Sequence, residues 1–417
     1  MANTAGIVKL AFTLAASVGV ALALAYASYS YQPSGTILST WKHCNWPNLQ
    51  KGSSSNSAGN IIDSSLCVVL PLFKQARSDL HSVGLFSLAL SGIMPLVAHS
   101  TYVAISPNSR ISFISGALPA LAALAVFIGG GVVAAGPYVI FYTLGSLLYL
   151  SKRASLAPLP TRAIGVHLLN VILFLYVGAG FCIMLLEPTG GRWYKAVIAL
   201  VLVPLALLNL PTISGGSRVP NNEVDVRKGL TAYSAGDLSS AFERTWSSYR
   251  RVGLASAIFY WYGIGRVANA LYLERPVKLN DVSFNSLLTF IGTSTALLAL
   301  VTIERLTFRA QASTLELKAL NLDTKMVVSQ VTQQTPIPHP LTGAQPSKVD
   351  LECEKAVARA PAGHPIAEVG LKGTAFALLL GGPGLAACFW WARGEEEAGW
   401  KSRKEWREIQ ALSSKKQ

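Results

Sequence analysis

AIGVHLLNVILFLYVGAGFCIMLL, residues 163–186, contains no Asp, Glu, Lys or Arg; charge returns only at its borders, with Arg162 before it and Glu187 after it. A hydrocarbon core of about 30 Å needs about 20 apolar residues in helical form. No water reaches backbone amides there, so such a stretch must satisfy its own hydrogen bonds as a helix. Comparable runs lie over 10–27, 82–104, 114–150, 194–213, 252–273, 282–303 and 373–392. The 114–150 run is too long for one ordinary crossing and holds Gly129-Gly130-Gly131 and Gly136-Pro137. It reads either as two passes or as one long helix leaving the membrane. The chain is therefore expected to be all-α, a polytopic membrane protein with about seven to nine transmembrane helices.

Composition points the same way. Of 417 residues, 51% are hydrophobic and 13% charged, and the mean hydropathy is +0.41. A typical soluble domain carries about twice that charged fraction. The formal charge of +14 does not indicate nucleic acid, because Lys and Arg gather in connections between apolar runs. Lys152, Arg153 and Arg162 flank one connection; Arg218, Arg227, Lys228, Arg244, Arg250 and Arg251 crowd another. The positive-inside rule puts both in the cytosol and the turns near Glu187 and 274–281 in the lumen. The seven Lys and Arg of the tail belong in the cytosol too, which conflicts with plain alternation after 303. A re-entrant hairpin at Gly381-Gly382-Pro383-Gly384 offers one resolution.

The organisation follows from these runs. Residues 1–27 form a signal anchor or a signal peptide, since Ala25-Tyr26-Ala27 resembles a peptidase site. Residues 28–81 form a lumenal loop in which Cys44 and Cys67 are placed to form a disulfide or to stay free. The bundle spans 82–303, a cytosolic helix and disordered linker 304–372, and a last apolar span or re-entrant hairpin 373–392. A charged amphipathic tail, 393–417, is expected to lie on the membrane surface. Cys182 and Cys388 read as small core residues and Cys353 as a free thiol.

Ionisable groups inside apolar runs are expensive there and tend to be functional. Arg266 follows Phe259-Tyr260-Trp261-Tyr262 in the 252–273 run, and Asn269 shares its helical face. A guanidinium at that depth needs an acceptor: a ligand, or a structural partner such as Glu187 or Asp281. The lumenal ends of the spans should gather Glu187, Arg266, Asn269, Glu274, Asp281 and Asn285. A carboxyl half-buried in such a cluster holds its proton and can serve as a general acid. Glu187 and Asp281 are the candidate acids. Arg266 and Asn269 would position the substrate, and Phe259, Tyr260 and Trp261 would present ring faces to a cation. His99 and His167 also lie within spans, as packing residues or as the base of an acyl transfer. No Walker loop, Rossmann fingerprint, Gly-x-Ser-x-Gly elbow or Asp-Asp-x-x-Asp occurs, and no Cys/His spacing suggests zinc. Neither a metal nor an organic cofactor is expected.

Leu230-Thr231-Ala232-Tyr233-Ser234-Ala235-Gly236-Asp237-Leu238 leads into an Arg-rich amphipathic helix and then Ala257-Ile258-Phe259-Tyr260-Trp261. With the multi-span plan, this layout over 80–305 resembles the fungal integral-membrane terpene cyclases of meroterpenoid biosynthesis. The resemblance implies a buried carboxylic acid that protonates an epoxide or olefin of a prenylated substrate, with aromatic residues guiding metal-independent ring closure. It fixes no catalytic residue and leaves the 305–370 segment unexplained. It implies a lipophilic substrate and membrane lipids as partners, no nucleic acid, and an endoplasmic-reticulum location. On this expectation Glu187→Gln or Asp281→Asn, in at least one case, stops turnover. A carrier for a small hydrophobic solute and a non-catalytic membrane scaffold are the alternative readings.

Overall fold

The computed structural model describes residues 4–31, 73–105, 128–153, 163–186, 232–273, 279–311 and 371–414, with a few isolated positions between them. Every regular element among the described residues is helical. In chain order these are α1 (Thr4–Tyr31), α2 (Leu80–Ile105), α3 (Gly130–Val133), a π-helical turn (Ala134–Tyr138), α4 (Val139–Arg153), α5 (Ala163–Leu185), α6 (Ala235–Leu273), α7 (Asp281–Gln311) and α8 (Leu371–Ser414). Among the described residues, five stretches are long and apolar enough to cross a membrane: Val8–Tyr31, Leu80–Val103, Gly130–Leu147, Asp281–Glu304 and Ala375–Glu396. The turn at Ala134–Tyr138 contains Pro137, whose missing N–H interrupts the α-helical ladder. Cys44, Cys67, Cys353, Glu187, Glu274, the 304–372 linker beyond Gln311 and most of the 194–213 run lie outside the described residues.

Small and hydroxylated residues set the packing around α2. Ser87 Oγ donates to Phe259 O at 2.7 Å and Ser256 Oγ to Ser91 O at 2.7 Å, so α6 runs antiparallel to α2. A Cβ on Gly84 would stand 2.9 Å from Gly263 O, which is why only glycine lets these two backbones approach. Helix α7 runs parallel to α2, with Ser82 and Ser283 hydroxyls 2.6 Å apart at one end and His99 beside Glu304 at the other. Helix α1 closes the side of α7 and the π turn through Ser17 Oγ, 2.6 Å from Ala135 O, and Tyr31, stacked on Phe284 at 4.1 Å. It passes unbroken through Ala25-Tyr26-Ala27.

These directions bring Arg153, the start of α6 and the ends of α7 and α8 to one end of the bundle, the basic end. Tyr31, Leu80, Gly130, Leu273 and Asp281 share the opposite end. Ser234 caps α6, its Oγ accepting the Asp237 N–H at 3.1 Å while the same hydroxyl donates to Asp237 Oδ2 at 2.9 Å. Asn280 caps α7: its Oδ1 accepts the Ser283 N–H at 2.8 Å. Its amide N–H2 faces Gln75 O and the side-chain oxygens of Ser78, Asp79 and Ser82 at 2.9–3.4 Å, tying α7 to the start of α2. Asn280→Ala is expected to cost about 1–2 kcal/mol, seen as a lower Tm in detergent. An unchanged Tm would show that the cap does not hold these helices together.

Helix α8 lies antiparallel to α6 along its length. Gly381 faces Ala257, Cys388 faces Gly253, Gly399 faces Phe242, and Trp406 Nε1 donates to Tyr233 O at 2.8 Å. The helix breaks at Gly381-Gly382 and resumes at Pro383 in the same direction, so this segment is a kinked helix and not a re-entrant hairpin. Gly382 has φ 73°, where a side chain is disfavoured, and a Cβ there would press on the Tyr260 ring. The tail does not lie apart on a surface. Its buried Trp406 joins Leu230, Leu238 and Phe242 in a small core against the start of α6. Because α8 begins at the end opposite Gln311, the basic tail reaches the end that holds the end of α4 and the start of α6 without a hairpin.

Candidate functional site

The residues singled out in the sequence do not converge. Arg266 is half-buried and contacts its own helix: Nε donates to the Tyr262 hydroxyl at 3.1 Å, and the guanidinium stands 5.2 Å from that ring's centre. Asn269 is exposed. Asp281 is half-buried as the first residue of α7, where a carboxylate complements the helix N-terminus. Glu187, the other candidate acid, lies outside the described residues. The aromatic run fans out as consecutive helical positions must. Phe259 is buried and stacks on Phe181 at 4.6 Å, while Tyr260 packs at the kink of α8. Trp261 is 52% exposed, and its indole N–H donates to Leu380 O at 2.6 Å, beside the broken turn of α8. His167 is exposed on α5.

His99 is different. It is 2% exposed, and both ring nitrogens are engaged. Nδ1 lies 3.0 Å from the Tyr249 hydroxyl and Nε2 lies 3.1 Å from the Tyr142 hydroxyl. Tyr142 in turn donates to Glu304 Oε1, which is 3.4 Å from His99 Nε2. The Glu304 side chain is only 13% exposed. Four helices supply this group: α2 gives His99, α4 Tyr142, α6 Tyr249 and α7 Glu304. A fifth, α8, lays Trp391 flat on the imidazole, with centroids 3.7 Å apart and planes 5° from parallel.

More phenols surround the group. Tyr138 shares a face with Tyr142 one turn away, and its hydroxyl lies 2.6 Å from Ser100 Oγ. Tyr102 packs 4.8 Å from the Tyr249 ring and donates to Asn170 Oδ1 at 3.1 Å. Asn170, one turn from His167 on α5, thus serves Tyr102.

The hydrogen-bond chain can be written in two directions. In one, the Tyr249 O–H donates to Nδ1, the Nε2–H to the Tyr142 oxygen, and the Tyr142 O–H to an ionised Glu304. In the other, a protonated Glu304 donates to Tyr142, Tyr142 to Nε2, and an Nδ1–H to Tyr249. Every member stays paired in both. The two forms differ by one proton on Glu304, together with a change of imidazole tautomer. A buried carboxyl that can be loaded with a proton without breaking its network is a plausible acid chemically and a costly ornament otherwise.

Sequence reading named His99, and Tyr249 only as a pocket-lining or interfacial aromatic, but gave Glu304, Tyr142 and Trp391 no role. A usable signal existed: Glu304 ends an uncharged 282–303 run, so its carboxyl sits at the margin of a span much as Glu187 does. No family profile, curated protein or solved structure matches this chain.

Proposed function

We propose that this protein is a membrane-bound terpene cyclase, with Glu304 as its acid. The carboxyl delivers a proton to an epoxide or olefin of a prenylated, meroterpenoid-type substrate. The resulting cation closes rings beside aromatic faces and is quenched by loss of a proton, so substrate and product are isomers. The observation that carries this reading is the buried Tyr249–His99–Tyr142–Glu304 chain under Trp391, an acid and its proton relay set among aromatic rings. His99 and the two phenols are positioning and relay groups, and the rings of Tyr142, Tyr249 and Trp391 supply the negative faces that carbocations favour.

Seven to nine spans in the endoplasmic-reticulum membrane, with the basic end cytosolic, complete the proposal. A carrier is less well supported. The hydroxyls between the two ends of α2, those of Ser87, Ser91 and Ser256, are tied to backbone carbonyls and form no open polar path.

Yeast microsomes containing the full chain should convert prenylated phenols, with or without a terminal epoxide, to cyclised isomers in the presence of EDTA. Mass spectrometry and NMR would identify them. Asp281→Asn should leave this turnover within about threefold of wild type, since Asp281 stands at the far end of the bundle from His99. Absence of any isomer from well-expressed protein across the panel would sink the cyclase reading.

A further inference from the structure

We infer that the His99 cluster includes a polar subsite for a neutral oxygen of the ligand, a phenol, alcohol or carbonyl, formed by Trp391, Thr245 and Ser146. The inference rests on the proposed cyclase reading for the ligand's class and on independent geometry for the site. Trp391 is 4% exposed, and its indole N–H, in a ring stacked on His99, has no partner among the described residues. Thr245, 1% exposed, lies one turn from Tyr249 on α6, and Ser146, 2% exposed, lies one turn from Tyr142 on α4. Neither hydroxyl has a partner among the described residues.

Tyr249 and Tyr142 hold the two nitrogens of His99 and Trp391 covers its face, so the three unpaired polar groups sit on α6, α4 and α8, three of the five helices around that ring. Each unpaired buried donor or acceptor costs about 1–3 kcal/mol, so folded chains rarely leave one without a water or ligand. An indole N–H only donates, whereas the hydroxyls donate or accept. All three are uncharged. The set therefore suits a neutral oxygen better than a carboxylate or phosphate, which would call for a guanidinium or ammonium.

The test is binding, not turnover. Full-length protein in detergent would be titrated with a prenylated phenol and with the same compound lacking the hydroxyl, and Kd read from thermal shifts. Wild type should prefer the phenol by about three- to tenfold, the worth of one or two neutral hydrogen bonds. Trp391→Phe keeps a ring over His99 and should bring that preference close to one, with affinity for the deoxy compound within about twofold of wild type. Thr245→Val, which keeps the side-chain shape, should reduce the preference as well and stands in if the Trp391 variant does not fold. Equal affinity of wild type for the two compounds, or full preference in a folded variant, would overturn the subsite. If neither compound is turned over but the phenol preference depends on Trp391, the cyclase reading fails and the subsite stands.

Discussion

Glu304→Gln is expected to lower turnover by about 10²- to 10⁴-fold, the usual contribution of a positioned general acid, while leaving the protein folded and membrane-inserted. The substitution is nearly isosteric. The amide oxygen still accepts from Tyr142, so the network around His99 keeps its bonds and only the transferable proton is lost. Tyr142→Phe tests the bridging hydroxyl: it leaves the Glu304 carboxyl in place, 3.4 Å from His99 Nε2, and removes only the phenol O–H between them. Its loss should be smaller than that of Glu304→Gln, because the acid itself remains. Both variants would be assayed in microsomes, with folded protein quantified by size-exclusion chromatography in detergent. Full activity in Glu304→Gln would remove Glu304 from the chemistry even if cyclised products form. In that case, loss of activity in Glu187→Gln would make Glu187 the acid.

Helical character was legible because it depends on properties that a single run of residues carries. The uncharged stretches 163–186 and 282–303 leave no alternative to α5 and α7, and residues 230–238 lead into the Arg-rich helix that is α6. The direction of α8 was not legible. It depends on Gly399 meeting Phe242 and Trp406 meeting Tyr233 O, pairs brought together only by the antiparallel seam with α6. The site failed for a related reason. Arg266 is conspicuous because a charge inside an apolar run draws attention, yet Tyr262, one turn away, takes up its guanidinium. His99 and Glu304 are far apart in sequence and belong to parallel helices, so neither periodicity nor spacing predicts their meeting. Glycines and serines on α2 set that register, and their effect is visible only once the neighbouring helix is present.

The tightest approach of backbone to backbone yields the largest stability effect. Gly292→Val is expected to destabilise the bundle by about 4 kcal/mol or more, a size reserved for overpacking and strain at sites that cannot relax. A Cβ at Gly292 would fall on the backbone of Gly131, and a Cβ at Gly131 would fall on Leu288 O, so neither helix has a side chain to move aside. The only relief is separation of α3 from α7. That displacement carries the π turn and α4 with it, and Tyr142 is withdrawn from Glu304 and His99. Folded yield and Tm in detergent should therefore drop sharply. Any protein that survives should lose turnover even though no substituted atom touches the site. Gly265→Ala is the matched control, because a Cβ there meets nothing within 4 Å. It should leave both Tm and turnover at wild-type values. Near-wild-type stability in Gly292→Val would mean that the α3–α7 seam does not hold Tyr142 against Glu304, and the relay geometry would lose its structural basis.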